Sequence, residues 1–229
     1  MSHVTFTLSG ARKGARQTIP IAPSILAWGL VFGILSRQAG LSLAEAVLMS
    51  GTVFAGASQL VAMELWRAPL PVLEILLTTL IINLRHVLMG AALQPWFAHL
   101  SALRRYGSVF FLTDESWALT LNELEHGSHD AAFFLGSGVT VYGAWLSATV
   151  IGQSLGAAVP NPARWGLDFA SYAVFLALLV GMWRGKSSLL PWIVAAVVAL
   201  LAARLLPGKW YVLLGGLAGS LVGMWRDVD

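Results

Sequence analysis

ILLTTLIINLRHVLMGAAL, residues 75–93, is the stretch on which the reading of this chain turns. Aliphatic side chains and two threonines run from Ile75 to Ile82, give way at Asn83-Leu84-Arg85-His86, and resume from Val87 to Leu93. Leu84 is the midpoint, so Arg85 and His86 lie too deep for a long side chain to reach a polar rim by extending along a helix. The segment is otherwise long and apolar enough to cross a bilayer, which takes about 20 mostly apolar residues. An arginine at the centre of such a helix costs about 2.5–3.5 kcal/mol on insertion scales and therefore needs a partner. The next apolar segment carries Thr113-Asp114-Glu115 at similar depth, and the short 97–105 loop makes the two segments neighbours.

Working outward, the 229-residue chain is 57% hydrophobic and 11% charged, with a mean hydropathy of +0.74. That balance lies outside the range of soluble domains and predicts an all-α, polytopic integral membrane protein. Candidate spans are Thr18–Ser36, Leu43–Leu65, Pro71–Trp96, Tyr106–Leu121, Ala131–Ala158, Leu167–Trp183, Leu189–Leu206 and Trp210–Trp225, giving seven or eight crossings. They follow one another too closely for a soluble domain, so the expectation is a cytoplasmic N-terminal segment over 1–17 and one transmembrane domain over 18–226. Trp66, Trp96, Trp165, Trp183, Trp210 and Trp225 fall at segment ends, as an interfacial aromatic belt requires. The net charge of +3 and pI near 9.6 would also suit nucleic acid, but the basic residues occur as juxtamembrane pairs such as Arg12-Lys13 and Arg104-Arg105, a pattern that fits anionic headgroups. Nucleic acid is not expected as a partner. Cysteine is absent, which excludes disulfides and thiol chemistry. The apolar run Ile19–Leu35 after Arg12, Lys13 and Arg16 exceeds a signal-peptide core and lacks a small-x-small cleavage site, so it is read as a retained first span.

The positive-inside rule assigns both the basic N-terminus and the 97–105 loop to the cytoplasm. An even number of crossings must then separate them, yet three apolar segments intervene. One of these enters and leaves on the same side or is broken. The best candidate is the second, where Met49-Ser50-Gly51-Thr52-Val53-Phe54-Ala55-Gly56-Ala57-Ser58-Gln59 interrupts the apolar run with glycines, hydroxyls and an amide. A broken helix at this depth lines a cavity or is buried in protein, and half-helix N-termini in transporters face anionic substrate groups. The alternative is a continuous helix whose small residues admit a close neighbour. Gly29 with Gly33, and Gly215 with Gly219 and Gly223, form stripes that fit close helix contact within the chain or, for the last span, with a second subunit. A faint similarity links Trp28–Gly33 and the Ser50 region to Trp145–Gly152 and Phe169-Ala170-Ser171, which raises an inverted repeat.

These features nominate Ser50, Gly51, Thr52, Gly56, Ser58, Gln59, Asn83 and Arg85 as substrate-binding residues, and Asp114, Glu115 and His86 as proton-coupling residues. Crowded carboxylates shift one another's titration and imidazole titrates near neutrality. The competing reading is a static Arg85–Asp114 pair joining two helices. Glu123, Glu125, His126, His129 and Asp130 form a charged loop with His-x-x-His spacing, read as solvated rather than metal-binding. Gly185-Lys186-Ser187 lacks the glycine five positions earlier, where Val180 stands, so nucleotide binding is rejected. No nucleophile–base set is visible; neither an enzyme nor a cofactor is expected.

The three motifs, Gly51–Gln59, Asn83–His86 and Thr113–Glu115, together resemble the large permease subunit of the AzlC-type branched-chain amino acid exporters (the LIV-E family), from Gly14 to Trp225. The resemblance implies ion-gradient-driven export of leucine, isoleucine, valine and methionine across the bacterial inner (plasma) membrane. It also implies a separately encoded small membrane subunit of the AzlD type, and nothing here looks like an ATPase coupling element. The expectation is therefore a proton-coupled secondary transporter. Its rivals are an uncoupled solute channel and a non-transporting membrane scaffold.

Overall fold

Glycines set the first long contact. In this computed structural model, which describes residues 4–158, 185–206 and 210–226 together with Arg164, Leu176, Val180 and Trp183, the chain opens with α1 (Leu8–Thr18). A short 3-10 turn carries it into α2 (Ala22–Gln38). Thr7 caps the rod, its hydroxyl accepting from the Gly10 N–H at 3.1 Å. Residues 8–17, expected to precede the membrane domain, are thus the opening turns of the same 31-residue rod. The rod packs on α10 (Ala132–Gly156) along its length.

A Cβ on Gly14 would lie 2.0 Å from the Phe133 carbonyl oxygen, and one on Gly136 would lie 1.8 Å from that of Ala11. Further along, Gly33 abuts Thr149 and Gly152 abuts Leu30 in the same reciprocal way. Contacts advance together along both chains, so the two helices run parallel, and the backbones approach because no side chain intervenes. Thr18 Oγ1 donates to Ser137 Oγ at 2.8 Å, one of few polar contacts in this seam.

The second segment is broken, as one of the two readings anticipated. α3 (Leu43–Val53) begins with a Ser42/Glu45 capping box and ends at Phe54, whose φ of 43° lies in the left-handed region; α4 (Gly56–Glu64) then starts afresh. α4 turns back: Gln59 reaches Ser50 at 3.2 Å, whereas positions that far apart in one continuous helix are about 13 Å apart along its axis. α4 then packs against α5 (Val72–Asn83), which continues through Leu84 into α6 (Arg85–Ala92). α7 (Gln94–Phe97) follows, and its Trp96 and Phe97 lie in a buried cluster with Ala131, Phe133 and Phe134, against which Val4 and Phe6 pack. The end of this crossing is therefore on the N-terminal side of the molecule, and α3–α4 is a hairpin entering from the opposite side. Two crossings separate the N-terminus from the 97–105 loop, and both lie on one face, which fits the charge pattern. Arg104 stacks 5.1 Å over the Phe6 ring, and Arg105 Nε donates to the Phe97 carbonyl at 2.9 Å.

The fourth predicted span, Tyr106–Leu121, does not cross. It forms α8 (Ala102–Val109) and α9 (Asp114–Glu125), separated by a break at Phe110–Thr113. α8 starts beside Phe6, the break abuts Gly138 through Phe111, and α9 returns so that Glu123 meets Lys13 at 2.6 Å and Gln17 at 3.0 Å. This is a second hairpin, entering from the N-terminal side. Sequence periodicity missed it because the end of α8 from Tyr106, the apolar residues Phe110–Leu112 of the break and α9 as far as Leu121 together make one span's length. Glu123 lies outside the crossing segments: burial pushes its carboxyl up, but the Lys13 and Gln17 hydrogen bonds and the Lys13 charge outweigh burial and hold it below the ordinary 4.5.

A crossing helix followed by a hairpin on the side it has reached occurs twice in opposite senses, as α2 with α3–α4 and as α5–α6 with α8–α9. That is an inverted arrangement, but not the pairing that the similarity of Trp28–Gly33 to Trp145–Gly152 suggested, since α2 and α10 are parallel. Residues 169–171 of that similarity and the predicted span Leu167–Trp183 lie largely outside the described residues. The chain ends in α11 (Leu189–Leu205) and α12 (Trp210–Arg226), where Gly215 and Gly219 meet Ala195 and Ala199 within the chain. Among the described residues four helices are long and apolar enough to cross a membrane, and there is no strand.

Candidate functional site

The two hairpin tips meet at mid-depth. Phe54 stacks on Phe110 at 6.2 Å between ring centroids, and Tyr142 of α10 closes edge-on against both, at 4.9 Å and 5.9 Å. A bulky residue in left-handed backbone costs about 1–2 kcal/mol over a helical one, and the aromatic packing offsets that cost. Tyr142 also donates to the Gly51 carbonyl at 3.0 Å, one of the acceptors freed where α3 ends.

Polar side chains behind the tip hold the α3–α4 break open. Gln59 Oε1 accepts from the Ala55 N–H at 3.1 Å while its Nε2 donates to Ser50 Oγ. Trp145 Nε1 donates to the same Ser50 oxygen at 3.2 Å. Thr149 gives its proton to the Trp145 carbonyl, so Ser50 donates to Thr149 Oγ1 at 3.0 Å. Ser50, Ser58 and Gln59 are thus buried and satisfied. Their role in the fold is to brace the break, and the open space belongs to the backbone they position. Thr52 is exposed, with its hydroxyl on the Leu48 carbonyl.

That space is a cavity of about 60 Å³ in front of the tips. Of the nominated residues, Gly56, Arg85, His86, Asp114 and Glu115 line it, whereas Ser50, Gly51, Thr52, Ser58 and Gln59 do not. Asn83 lines an adjoining fissure with His86. Trp28 and Trp145 complete the cavity wall, residues that sequence reasoning passed over. The signal was present, since both tryptophans sit mid-span, away from the interfacial belt to which six other tryptophans were assigned.

Three helix ends converge here. α6 opens at Arg85, where the ladder tightens: the Val87 N–H bonds Leu84 at 3.0 Å, and the Asn83 carbonyl lies 3.1 Å from His86 Nδ1. α9 opens at Thr113, which exchanges capping bonds with Ser116 and sets Asp114 and Glu115 in the first turn, complementing the helix dipole. α4 opens at Gly56-Ala57 with no acid in its first turn, so its N–H groups and positive end face the cavity uncompensated. Arg85 Nη1 meets Asp114 Oδ2 at 2.9 Å, with the two side chains 36% and 39% exposed. The predicted pair therefore forms at the centre of the crossing helices and borders open space rather than a dry seam. Arg85 Nε and Asn83 Oδ1 are buried without a hydrogen-bond partner. The cavity has an anion-favouring pole, made of Arg85 and the α4 N-terminus, and a cation-favouring pole at Asp114 and Glu115. Among the described residues no group of histidines and carboxylates is arranged to hold a metal ion.

Fold and site together define a polytopic helical membrane protein with two opposed re-entrant hairpins around a charged centre. The AzlC protein family matches residues 20–159, more than half of the chain, and the chain belongs to that family. It is 32% identical over 181 residues to an uncharacterized membrane protein of Archaeoglobus fulgidus, covering 76% of this chain and 77% of the relative. It is 29% identical over 196 residues to the inner membrane protein YgaZ of Escherichia coli, covering 83% and 79%. It is 26% identical over 174 residues to the branched-chain amino acid transport protein AzlC of Bacillus subtilis, covering 75% and 67%. No solved structure matches the chain.

Proposed function

We propose that this chain is a secondary active transporter that exports branched-chain and other hydrophobic amino acids, coupled to protons and acting with a small AzlD-type membrane subunit in the bacterial inner membrane. The observation that carries the reading is the Arg85–Asp114 pair, half exposed to a mid-depth cavity beside an uncompensated helix N-terminus. A zwitterion matches both poles: its carboxylate takes the α4 N–H groups and Arg85, and its ammonium takes Asp114. An ammonium that displaces Arg85 from Asp114 reorganises the only ion pair at the cavity among the described residues. Glu115 and His86 beside it carry the proton. The name of the Bacillus subtilis relative supports the substrate class.

The test uses leucine-loaded vesicles from cells co-expressing the small subunit. Wild type exports leucine uphill under an imposed proton gradient, and Asp114→Asn, at equal expression, does not. Undiminished efflux from Asp114→Asn removes the carboxylate from the mechanism, and efflux that only ever runs downhill identifies a channel. If a charge-swapped Arg85→Asp/Asp114→Arg chain restores full cellular function, the pair is structural and the scaffold reading holds.

A further inference from the structure

The central cavity is too small for the ligand assigned to it. At about 10–15 Å³ of such space per water molecule, about 60 Å³ holds about four to six waters. Such a space admits the carboxylate, α-carbon and ammonium of an amino acid, but not the side chain of leucine as well. A second space adjoins it: a fissure of about 350 Å³ running between the α3 tip, α6 and α8. Phe54, Ala55 and His86 line both spaces, so they are one side chain apart. The fissure's remaining wall is Val53, Val87, Val109, Phe110 and Leu112, with Asn83 at its inner end. The cavity is charged and the fissure, beyond Asn83 and His86, is aliphatic and aromatic. Arg85, in the cavity wall, and Asn83, in the fissure wall, each carry a buried atom without a hydrogen-bond partner, Arg85 Nε and Asn83 Oδ1. A residue of each wall thus retains unused hydrogen-bonding capacity, a donor on the cavity side and an acceptor on the fissure side of the boundary formed by Phe54, Ala55 and His86.

Resting on the transport reading above, we propose that the binding site is divided at Phe54. The head group occupies the charged cavity and the side chain the valine-lined fissure, so the site selects α-amino acids with an aliphatic side chain of several carbons over alanine. The selecting residues are Val87 and Val109, on α6 and α8, which both line the fissure. Neither is part of the charged machinery, and both are partly exposed, 67% and 37%, so a larger side chain is accommodated without disturbing the core.

The experiment measures binding of radiolabelled leucine, alanine and phenylalanine to the full chain co-purified with its small subunit in lipid nanodiscs. One aliphatic carbon in an apolar pocket changes discrimination about 10–200-fold. Val87→Trp and Val109→Trp, which fill the fissure, are expected to lower the leucine-to-alanine affinity ratio at least tenfold, chiefly by weakening leucine. Val109→Ala, which enlarges it, is expected to raise relative binding of phenylalanine several-fold. Ratios within twofold of wild type in all three variants overturn the division while leaving the charged cavity in place. If wild type binds neither leucine nor alanine, the transport reading itself fails. Loss of both leucine and alanine binding in a tryptophan variant whose thermal unfolding is unchanged also counts against the division, because it shows head and side chain sharing one space.

Discussion

Replacing Gly136 by alanine separates two helices that the fold holds in backbone contact. The added Cβ would lie 1.8 Å from the Ala11 carbonyl oxygen, and the obstructing atom is backbone on a continuous helix. Since real Cβ atoms keep at least 3.0 Å, α1 must retreat from α10 by more than 1 Å. A gap of 0.5–1 Å already forfeits about a quarter to a half of each dispersion contact, and overpacking of this kind costs about 1–3 kcal/mol or more. Working against it, alanine is favoured over glycine in a helix by about 1 kcal/mol. Gly143, on the same helix, supplies the control, because nothing lies within 4 Å of a Cβ built there. Thermal unfolding of the detergent-purified protein should therefore split the two. At about 2–4 °C per kcal/mol for a chain of this size, Gly136→Ala should lower Tm by several degrees, and Gly143→Ala should leave it unchanged or slightly raised. Equal Tm values for the two variants would refute the claim that glycine contacts hold α1 to α10.

Gln59→Leu removes the acceptor of the buried Ala55 N–H and a donor to Ser50, and should cost about 1–3 kcal/mol, read as a lowered Tm with the same helical circular dichroism. The Lys13 ammonium is more than half exposed and Glu123 keeps Gln17, so Lys13→Met should cost about 1 kcal/mol or less, lowering Tm slightly and loosening α1, detected as faster proteolysis within residues 8–18. The sign of the pH dependence follows from Glu123: its folded pKa is lowered, so its contact with Lys13 and Gln17 stabilises fully above about pH 4.5 and is lost as pH falls through the lower folded value. The Tm difference between wild type and Glu123→Gln should accordingly shrink as pH falls below 4.5. Phe54→Ala keeps the strained backbone but loses the stack on Phe110 and Tyr142, and should widen access to the cavity, measured as faster labelling of an Asp114→Cys chain by a membrane-permeant thiol reagent.

Much of this was legible before any coordinates. Arg85 announces its partner because an unpaired cation at that depth is too costly, and Asp114 was the nearest anion in sequence and depth. The glycine stripes were legible for the same reason, since small residues at helical spacing on an apolar helix fit close backbone contact. The α3–α4 break showed in Gly51–Gln59 because glycines, hydroxyls and an amide cluster there. The break at Phe110–Thr113 was not legible: Phe110, Phe111 and Leu112 are as apolar as any span, and hydropathy is blind to a chain that reverses within the bilayer. Nor could composition divide the polar residues by role. Ser50 and Gln59 look like ligand-binding groups, but only their positions behind the tip show them bonded to Trp145 and Ala55.

The hairpins also constrain how the protein is made. α3, α4, α8 and α9 have 11, 9, 8 and 12 residues, or about 12–18 Å at 1.5 Å per residue, half of what the hydrocarbon core demands. None can be threaded across as an independent stop-transfer segment, and their exposed tips would strand unpaired amides in lipid. Biogenesis must therefore seat the α1–α2 rod, α5–α6 and α10 first and let the half-helices fold inward against that scaffold afterwards. The charged centre is then the last part of the molecule to exist, completed only when both tips arrive.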